Sequence, residues 1–355
     1  MMLTLSLQKS KLYLYAIVLG GLGVGLLVIT VLSLSQGAFH IPAYTVGQIF
    51  LAKLGIGEGD YTLQQYNVLW QLRLPRILLS MIVGGALGIA GAALQGLFRN
   101  PLVEPGIIGV SSGAALFAVI FIVFGSYLTF ISDIFGAFTL PIMAFLGGLL
   151  SVFLVYQLAS GQGKTDISLL ILAGVAINAL AAAMIGLVIF YGDDTAIRNY
   201  TFWSLGDVGG ANWSKVGIAF LLAVLPAGIV LSQHGGLNAL AMGEAEAFHI
   251  GINVQKVKFI VLFFSALMVG AGVSMTGIIG FVGLIVPHLI RLVFGADHRL
   301  VLPASFLLGA LLLAVADLLA RTIVSPAEMP IGILTAIIGC PFFIWLIRNI
   351  RKTTY

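Results

Sequence analysis

Apolar residues run along this chain in blocks separated by short polar punctuation, and a block of about 20 residues crosses a hydrocarbon core of about 30 Å as a helix. The pattern predicts membrane-crossing helices at 12–34, 77–97, 106–126, 138–159, 168–191, 214–233, 258–277, 279–294, 300–320 and 330–347. The stretch 258–294 is nearly unbroken, and reads either as two spans or as one span with a re-entrant piece. Charge arbitrates between these. With ten spans and both termini cytoplasmic, Lys9, Lys11, Arg99, Lys164, Lys256, Lys258, Arg291, Arg299, Arg348, Arg351 and Lys352 lie on the inner side. Lys53, Arg73, Arg76, Arg198, Lys215 and Arg321 then lie outside. This obeys the positive-inside rule, whereas nine spans would place the basic C-terminal cluster outside. The first run, Leu12 to Leu34, exceeds the apolar core of a secretory signal and reads as a retained helix.

Composition agrees. Sixty per cent of the 355 residues are hydrophobic and 8% are charged, against roughly 25% charged in an ordinary soluble domain. The 44 glycines fit a compact membrane bundle, because small residues let helix backbones approach closely in lipid. A net charge of +4, carried by basic residues lying singly between apolar runs, gives no footprint for nucleic acid. The single cysteine, Cys340, excludes an internal disulfide. Connections are mostly short, so residues 1–355 form a single transmembrane domain. Three are longer: Ser35 to Arg76 and Gly192 to Trp213 outside, and an inner segment at 234–257. Long loops in a compact protein are usually functional.

One string, Gly161-Gln162-Gly163-Lys164-Thr165, ends like a phosphate-binding loop. Such a loop needs an earlier glycine where this chain has Leu158, and a strand and soluble helix where it has apolar spans. The chain is therefore not expected to hydrolyse ATP. The inner segment holds Met242-Gly243-Glu244-Ala245-Glu246-Ala247-Phe248-His249-Ile250-Gly251, helix-forming residues around a small-residue face with a glycine to turn the chain. It suits a short helix that docks into a partner's groove, or one that lies among lipid headgroups.

This segment resembles the coupling loop of permeases in ATP-binding-cassette importers for iron siderophores, haem and cobalamin. Four further strings carry the same resemblance: QLRLPRILLSMIVGGALGIAGAALQGLFRNPLVEPGIIGVSSGAAL (71–116), LLILAGVAINAL (169–180), IIGFVGLIVPHLIRLVFGADHR (278–299) and MPIGILTAIIGCPFFIWLI (329–347). The family implies the all-α, ten-helix permease fold of the cobalamin importers. It also implies a homodimer with the pathway at its axis, two cytoplasmic ATPase subunits that use the ATP, and an external binding protein. The place is the bacterial inner membrane. The segment at 191–213 and the string QGLFRNPLVEPGIIG look most like the haem branch, so haem is the expected cargo and the expected load of a periplasmic or extracellular binding protein; a ferric siderophore, and after it cobalamin, are the alternatives.

The resemblance assigns roles residue by residue. Met242, Gly243, Glu244, Ala245, Glu246, Ala247 and Gly251 would couple to the ATPase. Arg73, Arg76 and Arg321 would receive acidic residues of the binding protein, where the residue-level alternative is interfacial snorkelling. Asn100 and Leu102, in the interruption that runs through Pro101 and Pro105-Gly106, would form part of the inner gate. Ser168 would belong to a second gate element, although Asp166 and Ile167 replace the family's small polar residues there.

His40, His234, His249, His288 and His298 are read as structural or interfacial rather than as haem ligands, since passage is better served by apolar walls than by iron ligation. No resident metal or cofactor and no catalytic residue is expected. Asp317 lies four residues before Arg321, so the two can pair on one helix face. An ion-coupled secondary transporter would need more intramembrane ionisable groups than this chain offers, and a membrane-embedded enzyme would need a cluster of reactive groups.

Overall fold

A computed structural model describes residues 2–57, 59–161, 164–325 and 327–353 of the chain. They fold into helices: α1 (Met2–Ser35), α2 (Ala43–Lys53), α3 (Leu63–Phe98), α4 (Val110–Phe124), α5 (Thr129–Phe135), α6 (Thr139–Ala159), α7 (Ile167–Phe190), α8 (Asp194–Ser204), α9 (Trp213–Leu231), α10 (His234–Leu240), α11 (Glu244–His249), α12 (Val254–Thr276), α13 (Val282–Phe294), α14 (His298–Ala320) and α15 (Ile331–Thr353). Eight of the described helices are long and apolar enough to cross a membrane, namely α1, α3, α4, α6, α7, α9, α12 and α14, with α4 counted together with the turn at Gly125–Tyr127 and α6 together with α5 and the turn at Gly136–Phe138. α13 and the apolar part of α15, Ile331–Ile344, are shorter. Each long connection carries helix of its own: α2 in the first, α8 in the second, α10 and α11 in the third.

The largest departure from the sequence pattern is the start of α3, expected near residue 77. Arg73, Pro75 and Arg76 read as a boundary, because proline lacks the N–H of the helix ladder and its ring meets the carbonyl four residues back. The structure instead carries the helix through this point on a π turn, Val68–Arg73, which widens the ladder just before Pro75. α9 repeats the device, with a π turn at Phe220–Val224 before Pro226. The true start of α3 is a capping box: the Thr62 hydroxyl accepts from the Gln65 N–H at 3.2 Å, and the Gln65 amide oxygen accepts from the Thr62 N–H at 2.8 Å.

α3 is the central mast, packed by α14, α12 and α13. Its glycines admit neighbouring backbones directly. A Cβ built on Gly84 would lie 2.3 Å from the Gly309 carbonyl oxygen, one on Gly88 2.1 Å from that of Ser305, and one on Gly91 1.8 Å from that of Gly283. No side chain fits at such distances, so each glycine is a place where another element crosses.

The stretch 258–294 resolves into α12 and a helix of 13 residues, α13, joined by non-helical backbone at 277–281. At about 1.5 Å per residue α13 is about 20 Å long, and it begins beside Gly91 and Pro105, within the length of α3. α12 starts beside Glu244 and α13 leads to Asp297 beside Asn238, so the stretch runs out from one end of the bundle and returns to it, the return leg opening as non-helical backbone. One end of the bundle gathers the end of α1 with Arg73, Arg76 and Arg321. The opposite end gathers the start of α1, the α3–α4 connection, the start of α7, and α10 with α11.

Candidate functional site

Irregular backbone at membrane depth needs partners supplied by the protein itself. The segment 99–109 is tied to 277–281 and to the first turn of α13 through two side chains. Buried Gln95 of α3 donates to the carbonyls of Val103 and Leu284, both at 3.2 Å, while its own oxygen accepts from Arg291. Arg291 also donates to the Ala92 carbonyl at 2.9 Å. The Glu104 carboxylate accepts the Phe281 N–H at 3.1 Å, one of the donors that a helix start leaves unpaired, at the end where the helix dipole favours negative charge. Phe281 itself sits at φ 68°, a left-handed position unusual for a bulky residue.

The expected gate residues lie at the rim of this junction. Arg99, at φ 50°, ends α3. Asn100 and Leu102 are exposed, and the Asn100 side chain accepts the Leu102 N–H at 2.9 Å in an Asx turn. Ser168 is exposed in the first turn of α7. Asp166, a departure from the family pattern in the sequence, caps that helix by accepting the N–H groups of Ser168 at 2.7 Å and Leu169 at 3.0 Å. Among the described contacts, Ser168 is not joined to Asn100 or Leu102. What ties the two elements is Asn178, inside α7, whose amide donates to the Gly106 carbonyl at 3.2 Å and accepts from Ser112.

At the same end, the segment at 234–257 folds into α10 and α11 around Gly243, whose φ of 128° only glycine adopts readily. The expected small-residue face is divided. Gly243 and Ala247 turn inward, while Ala245 and Gly251 are exposed beside Met242, Phe248 and Ile250, with Glu246 also exposed. Glu244 is half-buried, and its carboxylate meets Lys258 at 2.7 Å. The string that only ends like a phosphate-binding loop carries paired strands here, Ser160–Gly161 against Lys164–Thr165, while Gln162 and Gly163 lie outside the described residues. Strands and helix border a cleft of about 860 Å³ lined by Lys164, Glu244, Ala245, Phe248 and Gly251. A polar knot holds α10 to the bundle: Asn238 donates to Asp297 at 2.8 Å, and Tyr15 of α1 donates to the other oxygen of Asp297 at 3.0 Å. Partial burial raises the Asp297 pKa, but hydrogen bonds from the Arg299 N–H, Asn238 and Tyr15 outweigh it and hold the carboxyl below its ordinary value.

At the opposite end, Arg73, Arg76 and Arg321 do come together, but most of their donors are already engaged. Buried Arg73 donates to the carbonyls of Leu34 at 2.5 Å and Ser35 at 3.1 Å and to that of Phe39; buried Arg321 donates to Ser33 and, at 2.9 Å, to the Gln36 carbonyl. The carbonyls of Ser33, Leu34 and Ser35 belong to the last turn of α1, which has no intrahelical donors for them, so the two arginines cap that helix. Neither is a free surface cation. Asp317 does not belong chiefly to Arg321, whose Nε is 3.7 Å away; its close partner is Arg76 of α3, at 2.8 Å. Arg76 also holds half-exposed Glu328 at 2.8 Å. Glu328 borders a cavity of about 330 Å³ with Trp203, Asp207, Lys215 and Met275.

Residues 25–349 match the FecCD transport family. The chain belongs to that family. It is 44% identical to the hemin transport system permease protein of Yersinia pestis over 288 residues, 81% of this chain and 85% of that protein. It is 41% identical to the Fe(3+) dicitrate transport system permease protein of Escherichia coli over 288 residues, 81% of this chain and 87% of that one. Among solved structures, a metal-chelate type ABC transporter in an inward-facing conformation superposes with a TM-score of 0.80 at 34% identity, covering 93% of this chain and 98% of the other.

Reasoning from sequence missed Gln95, Arg291 and Lys258 in this FecCD chain. Arg291 and Lys258 were counted as inner-side charges, although both reach into the protein. Gln95 and Asn178 carried a legible signal, being lone amides inside apolar runs. Among the described residues no group of His, Cys, Asp and Glu is arranged to hold a metal ion. His298 is engaged by Asn238, Nδ1 to Oδ1 at 2.8 Å, and His288 faces Phe342 across 6.5 Å.

Proposed function

We propose that this chain is the membrane permease of an ATP-binding-cassette importer that carries haem across the bacterial inner membrane. Membership of the FecCD family is the observation that carries the transport role. The similarity to a hemin permease supports the cargo. Ten membrane segments, with α13 and α15 completing the eight long helices, place both termini in the cytoplasm. Two copies form a homodimer with the pathway along its axis, and α7 supplies part of the contact. Its exposed face carries Ala176, Ala179, Ala183 and Gly186, small residues of the kind that let helices approach closely in lipid.

ATP is used by two separate ATPase subunits. These seat on the end formed by Met242, Gly243, Glu244, Ala245, Glu246, Ala247 and Gly251, where Met242, Phe248 and Ile250 are exposed and Phe248 lines an open cleft. The cycle opens the pathway to one side at a time, with the segments of Asn100, Leu102 and Ser168 as the inner gate. The junction of Gln95, Glu104 and Arg291 keeps the broken backbone satisfied while these segments move. An external haem-binding protein docks at the arginine end. Arg76 and Glu328 meet it there, and Arg73 and Arg321 hold the shape of the rim. No resident cofactor or metal takes part.

A ferric siderophore is the second reading, favoured by the dicitrate relative at 41% identity. The test is uptake into proteoliposomes holding the permease and its ATPase, supplied with a binding protein loaded with haem or with a ferric siderophore. ATP-dependent haem uptake is expected. Uptake of the siderophore alone would replace the cargo, and absence of ATP-dependent uptake of either would overturn the importer reading.

A further inference from the structure

Resting on the reading of the segment at 234–257 as the ATPase seat, we propose that Lys258 is a positioning residue that carries movement of that seat to the gate strand before α7. Lys258 is in the second turn of α12 and its side chain is only 2% exposed. Its ammonium donates to acceptors on two different elements: the carboxylate of Glu244, the first residue of α11, at 2.7 Å, and the carbonyl of Thr165 at 2.7 Å. The Thr165 N–H is held in turn by the Gln255 side chain at 3.0 Å. The strand leading into Asp166 and Ser168 is thus docked on α12 by both its N–H and its carbonyl.

Burial gives this contact its force. An ammonium withdrawn from water requires a charged partner and further hydrogen bonds, and here one is on the coupling helix and the other on the gate strand. Withdrawing Glu244 would leave a buried cation facing a neutral carbonyl, so helix and strand move as one body rather than separately. Glu244 also lines the cleft that a docking partner would enter, and its side chain is 37% exposed. Whatever fills the cleft therefore touches the carboxylate end of the link. Packing alone would be served by an apolar side chain in the same space.

The test uses the complete complex with its ATPase subunits in nanodiscs, with a nitroxide on Ser168→Cys in a Cys340→Ser background. ATP with vanadate should change the water accessibility of the label in the parent complex. Lys258→Met should reduce that change about tenfold while ATP hydrolysis continues, within the usual range of coupling effects. Lys258→Arg should restore it, and adding Glu244→Gln to Lys258→Met should reduce it no further. If Lys258→Met fails to assemble, Lys258→Gln keeps a donor for Thr165 without the charge and should also lose the response. A full response in Lys258→Met or Lys258→Gln, or an additive further loss with Glu244→Gln, would overturn the link. A parent complex that hydrolyses ATP without any change at Ser168 would instead overturn the seat and gate reading on which the link rests.

Discussion

α3 and α7 are equally apolar, and each is long enough to span a membrane, yet 89% of the most apolar stretch of α3 is buried within the protein against 22% of that of α7. Hydropathy registers the membrane and cannot say whether a helix meets protein or lipid. What separates the two is the spacing of small residues and what lies opposite them. Gly84, Gly88 and Gly91 of α3 face backbone carbonyls at distances that exclude a Cβ, whereas Gly186 of α7 has nothing within 4 Å. The first set is used inside the chain. The small residues on the exposed face of α7 remain available to another copy.

The same substitution should therefore act in opposite directions on the two helices. Gly91→Ala should cost about 3 kcal/mol or more, because the clash is with backbone that cannot rotate away, whereas Gly186→Ala should stabilise the chain by about 0.5–1 kcal/mol through reduced backbone entropy. Thermal unfolding of the monomeric chain in one detergent would show it, free of the dimer face on which Gly186 lies. Equal effects would remove the distinction between mast and outer helix.

The buried pair between Arg76 of α3 and Asp317 of α14 sharpens the contrast. Asp317→Asn or Arg76→Gln should lower stability by about 3–5 kcal/mol, the cost of leaving one member of a buried pair without its partner. If either variant melts as the parent does, the pair is solvated and the rim is open rather than built. For α7 the readout is assembly and not stability. Ala179→Phe and Ala183→Phe should leave melting of the single chain within about 0.5 kcal/mol, the usual range for surface sites, while shifting the mass measured by light scattering from dimer to monomer. An unchanged dimer would place the contact on another helix.

A modest effect is expected at the polar knot that ties α10 to the bundle. The Asp297 pKa is lower in the fold than in the unfolded chain. Its contribution is therefore complete above the ordinary carboxylate value of about 3.9 and disappears as pH falls through the lower folded value. Asp297→Asn should cost about 1 kcal/mol at neutral pH, and that difference should close in acid below the ordinary range. A difference that stayed constant across this range would mean that hydrogen bonding alone, without the charge, holds α1 to α10.

Periodicity and charge in the sequence determined that the chain lives in a membrane as a bundle of helices, because burial in lipid demands long apolar runs regardless of what packs on what. Strings such as those at 71–116 and 278–299 carried the family as well. Contacts between distant segments were decided only by the tertiary structure. Proline at position 75 reads as a boundary because local rules treat it so, yet a π turn carries α3 through it. Arg73 and Arg321 read as surface cations, yet the open carbonyls at the end of α1, some 40 and 290 residues away along the chain, claim them. Arg291 and Lys258 could not be placed from sequence, because what fixes each is an amide, carbonyl or carboxylate of a distant segment that becomes a partner only once the chain has folded. Gln95 was legible as a lone amide in an apolar run, but the backbone carbonyls it serves were not, since they come together only in the fold, where water cannot satisfy them and a side chain must.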